Sequence, residues 1–305
     1  MEEGVAIAPV EVSRSFVLSK CNYFVEVHLW PLVSRLNPEL WLSNFRESEM
    51  DHAVHLLNGF LYFSNLMVRE LFKAAFQRLS TRIGCSDRTY EAAKSHWDDF
   101  RRSVLITYIT GETPNATDSG YTFARLARQA LGINQGQIMS PDQVLAKLVS
   151  DGPAPVVFVD DFVGSGRQCV TTWHREIDIG DGARTSFARF STVTGMPCIY
   201  CPVVCTESGR DVIDNRCLGV HVWPAHFLSQ RYSAIANDSI IWPERLRPTA
   251  VEFVQTASKR AGIPEDDWAG FKGLGLAIAF EHSVPDATLP LFYHEDNGWH
   301  PLVRR

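Results

Sequence analysis

The middle of the chain carries the stretch Val156-Val-Phe-Val-Asp160-Asp161-Phe-Val-Gly164-Ser165-Gly166-Arg167-Gln168. Its first four residues are apolar and run without alternation, which predicts a parallel strand that is buried on both faces. Two acids end this run, and a loop with glycine on both sides of Ser165 follows. In open α/β sheets ligands bind beyond the carboxyl ends of the strands, so we expect Asp160 and Asp161 at such a site.

The residue types in this stretch suit a phosphorylated sugar. A glycine-rich turn lets successive backbone N–H groups point at a phosphate, because no Cβ blocks the approach. Adjacent carboxylates suit the hydroxyls of a ribose, or a Mg²⁺ ion that keeps most of its waters. The alternative is structural: a buried strand that ends in a turn capped by aspartate, for which one acid would suffice.

Composition and charge narrow the class of protein. The chain has 305 residues, of which 45% are hydrophobic and 21% charged, as in a globular protein with a substantial core. Its net charge of −6 does not indicate nucleic-acid binding by the bulk surface, although a local basic patch stays open. No apolar run approaches the roughly 20 residues needed to span a bilayer. The start Met-Glu-Glu-Gly lacks a secretory pattern, so we expect a cytoplasmic protein without a membrane partner.

The seven cysteines are expected to be reduced in that compartment. The spacing of Cys198, Cys201, Cys205 and Cys217 would permit a zinc site. Three of these four lie in or beside an apolar run that predicts a strand, and free cysteine is among the most buried residue types. We therefore favour burial in the core over metal binding.

Apolar residues at helical spacing predict a helical region over residues 1–101. The faces of two helices run from Ala53 to Leu61 and from Val68 to Leu79. A second region, 102–240, alternates strands and helices, which predicts a parallel sheet. The third, 241–305, would pack on it with a helix over 249–257, a strand over 273–280 and a closing loop.

Two local patterns in the second region mark helix ends. Ser140-Pro141-Asp142-Gln143 combines an N-cap, a proline at the first helical position and a glutamine that completes a capping box. Upstream, the run 103–109 predicts a strand, 110–120 a polar loop, and 123–131 a helix closed by Gly132.

The central stretch resembles the PRPP-binding signature of type I phosphoribosyltransferases, in which a hydrophobic strand, two acids and two variable residues precede a Thr/Gly-rich phosphate loop. The resemblance implies a type I phosphoribosyltransferase-like α/β fold, an open parallel sheet flanked by helices. It implies Asp160 and Asp161 as catalytic residues that hold the ribose and Mg²⁺, directly or through water. It also implies a ribose-phosphate site made of Asp160, Asp161, Gly164, Ser165, Gly166, Arg167 and Gln168. Arg167 is a departure from the usual composition of this loop. Its guanidinium would either bind the phosphate or block the loop.

In that family the preceding strand–loop–helix unit holds the pyrophosphate, which implies the same role for Thr110 and Gly111. No lysine or arginine lies between Arg102 and Arg125. An ordinary connecting loop is therefore an equal interpretation of this unit.

Several further stretches occur together and in order: Trp41-Leu-Ser-Asn-Phe45, the helical run to Leu79, the central stretch, and the ending from His282 to Pro290 with Trp299-His-Pro-Leu302. From about Trp41 onward the chain looks like the phosphoribosyltransferase-like family of bacterial conflict systems, PRTase-CE. The resemblance implies an effector of anti-phage defence whose partners include defence proteins such as a retron complex.

The placement of the ending after a strongly apolar strand predicts a binding role, in which His282, Asp286 and Thr288 would contact the substrate and His282 would be catalytic as an acid or base. They follow the strand 273–280, which we expect in the same sheet as 156–160 or packed over its carboxyl end. Prolines 285 and 290 would stiffen the segment. A structural role for His282 is the alternative, because a lone histidine at a strand end often satisfies local partners.

Two functions stay open at this point. The first is an enzyme that binds PRPP or a nucleotide and makes or breaks a glycosidic bond to a nucleobase. The second is a catalytically inactive nucleotide-sensing or adaptor protein, which the altered phosphate loop favours. Fold alone does not decide between them.

Overall fold

The structure is a computed structural model that describes residues 12–83, 89–110, 119–180 and 182–305. The chain forms two compact units: one takes the described residues up to Ser64 together with Arg231–Arg305, and the other takes Asn65–Gln230. This division differs from the boundaries expected near residues 101 and 240, because the chain leaves the first unit and later returns to it. No helix within the described ranges is long and apolar enough to cross a bilayer.

The helices and strands follow one another along both units. The α-helices of the described residues are α1 (Arg14–Glu26), α2 (Pro38–Leu42), α3 (Met50–Asn58), α4 (Asn65–Arg78), α5 (Tyr90–Ser103), α6 (Ser119–Leu131), α7 (Pro141–Asp151), α8 (Arg167–His174), α9 (Phe187–Thr194), α10 (Glu207–Arg216) and α11 (Arg247–Ala261). The strands are β1 (Leu61–Phe63), β2 (Leu105–Tyr108), β3 (Val156–Val163), β4 (Ile177–Asp178), β5 (Arg184–Thr185), β6 (Cys198–Thr206), β7 (Val220–Val222), β8 (His226–Leu228) and β9 (Ile278–Phe280).

The first unit packs α1–α3 and α11 around an aromatic core. Trp41 is fully buried, stacks on Phe292 at 5.2 Å between ring centroids, and donates from Nε1 to the carbonyl of Leu291 at 2.8 Å. The helical face expected to reach Leu61 ends earlier, since α3 stops at Asn58 and Leu61 begins β1. An apolar residue just beyond a helix satisfies helical spacing and strand pairing equally, which is why the pattern failed there.

The second unit is built on a five-stranded sheet in the order β2-β3-β6-β7, with β8 also paired to β6. All of these pairings are parallel. The four apolar residues 156–159 are at most 1% exposed, as a strand covered on both faces requires. The predicted fold class, a mainly parallel sheet flanked by helices, is confirmed.

Both helix-end patterns are confirmed as well. The Ser140 hydroxyl accepts from the backbone N–H of Gln143, and the Gln143 side chain accepts from the N–H of Ser140 at 3.1 Å. Gly132 follows α6 with a φ of +67°, the left-handed conformation expected after a helix end.

The cysteines of β6 lie where the strand prediction puts them. Cys198, Cys201 and Cys205 are fully buried, and burial raises the pKa of each thiol to about 12. Their predicted place in the core is confirmed. Alternation along the strand also separates the positions at 198 and 201 onto opposite faces, which does not suit two ligands of one ion.

The strand expected over 273–280 is shorter and has a different partner. β9 pairs in parallel with β1, Leu61 opposite Ile278, in a two-stranded sheet of the first unit. The expectation that it shares a sheet with 156–160 is therefore wrong. An apolar run shows that a strand is buried but does not specify which strand it pairs with. The other expectation, that the segment packs over the carboxyl end of β3, stays a prediction.

Candidate functional site

The two acids lie inside β3 and not at its end, which corrects the expected strand boundary. Pairing with β2 stops at Val159, opposite Tyr108, whereas pairing with β6 continues to Val163. Asp160 and Asp161 therefore lie one and two residues beyond the last pair with β2, where β6 still pairs with Asp160 and again with Phe162 and Val163. They border the space beyond the carboxyl end of β2, which is where ligands bind in parallel sheets.

The carboxylate of Asp160 is held in place by two donors. It is 3% exposed, and its Oδ1 accepts from the backbone N–H of Asp161 at 3.0 Å. Its Oδ2 accepts from the hydroxyl of Tyr200 at 2.9 Å. Burial, and then the negative charge of Asp160, raise the pKa of Tyr200 well above its ordinary value, so the phenol stays protonated and continues to donate.

Asp161 is the second buried acid, with 5% of its surface exposed. Keeping two buried carboxylates between mainly apolar strands costs desolvation free energy, which a purely structural turn would not require. Tyr200 is the signal in the sequence that could have pointed to Asp160, because a tyrosine in a buried strand needs a hydrogen-bond partner for its phenol.

The loop after β3 requires glycine. Gly166 has a φ of +72° and is the N-cap residue of α8. A Cβ at this position would lie 2.5 Å from the carbonyl oxygen of Gly209, closer than any real Cβ contact. The loop therefore lies directly on the first turn of α10, and both glycines permit that approach.

The first turn of α8 receives no side-chain cap from the described residues. Its leading N–H groups have no partner within the helix, because the first turn has no preceding carbonyls. Ser165 is half-buried beside them, whereas Arg167 and Gln168 are exposed. An uncapped helix start with a bare glycine before it is a favourable place for an anion.

Thr110 lies at the end of β2 in contact with α8 and the residue that follows it. Its N–H donates to the Thr172 hydroxyl at 3.2 Å, and that hydroxyl donates back to the Thr110 carbonyl at 3.1 Å. Arg175 donates from Nη1 to Thr110 Oγ1 at 2.6 Å. The second residue expected here, Gly111, lies outside the described residues.

Arg175 is the cation that the sequence did not reveal. The loop itself has no basic residue, and Arg175 is 65 positions away along the chain. No spacing rule connects the two, because the contact depends on the end of α8 lying beside Thr110 in the folded chain. The structure thus places a guanidinium next to the residue expected to hold pyrophosphate.

The three residues expected to contact substrate from the chain's end lie in the first unit. His282 is exposed and lies 5.6 Å from the Phe280 ring, between ring centroids. Asp286 forms an ion pair with Arg305. Thr288 is fully buried and donates to the Ile278 carbonyl at 2.7 Å, which braces β9. Their catalytic and substrate roles stay predictions.

The sequence profile of the family PRTase-CE matches residues 38–305. The match includes the acids of β3, the loop 164–168 and the ending from His282 onward. No curated protein and no solved structure matches the chain.

Proposed function

This chain belongs to the PRTase-CE family, and we propose that its second unit binds PRPP or a nucleotide through the ribose and its 5-phosphate. One observation carries the proposal: two buried acids and a glycine-led helix start, to which no described side chain provides a cap, lie within one strand–loop–helix unit. The acids suit the hydroxyls of a ribose. The helix start, a few residues further along, suits the phosphate on the same sugar.

Each residue of the site takes a distinct role in this proposal. Asp161 accepts from the 2- and 3-hydroxyls of the ribose, and Asp160, fixed by Tyr200, positions the neighbouring backbone. The N–H groups at the start of α8 and the Ser165 hydroxyl bind the 5-phosphate, with Arg167 and Gln168 at its rim. Thr110 and Arg175 bind the pyrophosphate of PRPP or the outer phosphates of a nucleotide.

The residues present fit Mg²⁺ in the way this ion usually binds. Mg²⁺ keeps several waters and needs only one or two carboxylates beside the phosphates of the ligand. Asp161 would hold it directly or through water, with Asp160 behind it. The ion would neutralise phosphate charge. The sugar would be oriented by Asp161 and by the groups that bind its 5-phosphate.

As an enzyme, the protein would make or break the bond at the anomeric carbon, acting on a nucleobase, a nucleotide or PRPP. Positive charge develops on the sugar as the bond breaks, and buried carboxylates on one side would stabilise it. Fixing the ribose at both ends would add to the rate enhancement by orienting the reacting atoms.

A second candidate is a nucleotide sensor or adaptor without turnover. One observation favours it: Asp160 already accepts from two protein donors, so its carboxylate is engaged before any ligand binds. Family membership supports, for either candidate, a cytoplasmic role in bacterial anti-phage defence together with other defence proteins, such as a retron complex.

Titration calorimetry of PRPP with Mg²⁺ tests the site. Asp161→Asn keeps the side-chain shape and an acceptor oxygen but removes the charge from two hydrogen bonds, at a cost of about 1–1.5 kcal/mol each, so we expect about 30- to 150-fold weaker binding. Asp142→Asn, an exposed acid on α7, is the control and should change nothing. If the Asp161 variant binds as tightly as the parent, the site assignment fails.

Measuring release of pyrophosphate or ribose 5-phosphate in the same samples separates the two candidates. Turnover by the parent supports the enzyme, and binding without turnover supports the sensor.

A further inference from the structure

A second concave region lies at the outer edge of the five-stranded sheet, where β7 and β8 run along β6. It has a volume of about 200 Å³. We call it the edge groove, and its lining includes Arg78, Arg210, Asp214, Trp223 and Phe227. None of the residues assigned to the ribose-phosphate site lines it.

The edge groove exists because the edge strand is interrupted. β7 pairs with the first part of β6 and β8 with its last part. Between them Trp223 donates from its backbone to Tyr200 at 2.7 Å, and Pro224 has no N–H to donate. The interruption opens the edge and leaves the indole of Trp223 half-buried beside it.

Three arginine side chains lie close to the two aromatic rings of this groove. The guanidinium carbons of Arg82 and Arg78 lie 4.6 and 5.9 Å from the centroid of the Trp223 ring. Arg210 lies 5.6 Å from the ring of Phe227. Such contacts are favourable individually, but each ring has only a limited negative face to offer.

Among the described residues, no acidic side chain pairs with Arg78 or Arg82. Neither guanidinium forms an ion pair or side-chain hydrogen bond within the part of the chain that the structure describes, whereas Arg210 pairs with Asp214 at 3.4 Å. Two like charges at one ring repel each other, and an anion placed between them would relieve that repulsion.

We propose that the edge groove is a nucleotide-binding site separate from the ribose-phosphate site. Arg78 and Arg82 bind the phosphates, and the base stacks on the exposed face of Phe227 or on a guanidinium plane. The inference does not rest on the proposed function of the acids in β3.

The geometry favours a compact ligand over an extended strand. Grooves for single-stranded nucleic acid follow the backbone over several nucleotides with a row of stacking aromatic residues. Here the cations converge on a single region of about 200 Å³, with two rings. A free nucleotide carries its charge and its base within that reach.

ATP is the probe, and the full-length chain is the sample. In the Asp161→Asn background, which weakens ATP binding at the ribose-phosphate site, adding Arg78→Gln/Arg82→Gln should weaken ATP binding at least about ten-fold, because two charge-assisted contacts are lost. Arg69 is an exposed arginine on α4, the helix that also carries Arg78. The ATP affinity of Arg69→Gln should stay within two-fold of that of the parent. Thermal melting of each variant shows that the fold is kept.

Photolabelling with 8-azido-ATP locates the site. Peptides from 207–228 should carry the label in the parent and in Asp161→Asn, and lose it in Arg78→Gln/Arg82→Gln. Unchanged ATP affinity on adding the two arginine substitutions to Asp161→Asn, or label confined to peptides from 160–175, would overturn the proposal. Tighter arginine-dependent binding of a single-stranded oligonucleotide than of ATP would also overturn it, in favour of a nucleic-acid strand as the occupant.

Discussion

The neighbouring strands β3 and β6 are paired through the register Val163–Cys205, but the connections to their helices differ. After β6, Thr206 is itself the N-cap of α10, and its hydroxyl accepts from the N–H of Gly209 at 2.9 Å. After β3 there is a glycine-flanked loop, and α8 begins at Gly166 without a side-chain cap from the described residues. We call 205–209 the closed junction and 163–167 the open junction.

The two junctions depend on each other. The Thr206 hydroxyl also donates to the carbonyl of Gly164, so the closed junction braces the open one. The backbone of Gly209 lies against Gly166 at the same place. The comparison shows that one apolar strand can lead into a helix start capped by its own threonine, and its neighbour into one that receives no side-chain cap from the described residues. The difference is that the closed junction supplies a side-chain oxygen, from Thr206, that caps its own helix.

The largest effect on stability should come from Gly166→Ala. An L-residue at φ +72° costs about 1 kcal/mol, and the added Cβ would meet the Gly209 carbonyl, for a total of about 2–4 kcal/mol. Gly195→Ala is the matched control, since Gly195 has a φ of +70° and open space around it. Urea unfolding should show about 1 kcal/mol for the control. Equal losses in the two variants would mean that the junctions are not in tight contact.

Thr206→Val should have the next largest effect, about 2 kcal/mol. It removes the cap of α10 and the hydrogen bond to Gly164 together, each worth about 1 kcal/mol. Ser140→Ala removes only a cap from α7 and should cost about 1 kcal/mol. Ribose 5-phosphate binding, followed by calorimetry, should weaken in the Thr206 variant and not in the Ser140 variant. If both variants bind like the parent, the closed junction does not brace the open one.

A smaller effect appears at alkaline pH. Burial raises the pKa of the Cys205 thiol from 9.0 to about 12 in the folded protein. Its contribution is therefore fully present below about pH 9 and is lost as the pH rises toward 12. Between pH 9 and pH 10 the parent should lose about 1 kcal/mol more unfolding free energy than Cys205→Val. Urea midpoints at the two pH values measure this, and identical losses would show that the thiol ionises in the folded state.

Local chemistry made part of this molecule predictable from its sequence. The unbroken apolar run 156–159 indicated a strand covered on both faces, and Ser140 with Gln143 marked a helix start through contacts three residues apart. The acids and glycines of the central stretch likewise stand within a few positions of one another. Wherever partners are sequence neighbours, residue type and spacing carry the information.

Long-range partners were not predictable in the same way. The strand at 278–280 was recognisable as buried, but its pairing with Leu61–Phe63 depends on how a unit is assembled from both ends of the chain. Arg175, which follows α8, donates to Thr110, and Tyr200 of β6 donates to Asp160 of β3. Neither pair is close in sequence. The strand β3 also continues past the two acids to Val163, because β6 pairs with it there. The apolar run 156–159 does not reveal that pairing.

Hydrogen exchange on the full chain, with and without ribose 5-phosphate, tests the central claim most directly. The open junction is proposed to bind the phosphate through the N–H groups at the start of α8, so amides in 165–170 should exchange more slowly with ligand present. Amides in 206–211, which start a helix that is already capped, should not change. Protection of 206–211 instead, or no change in 165–170 at saturating ligand, would contradict the assignment of the open junction as the phosphate site.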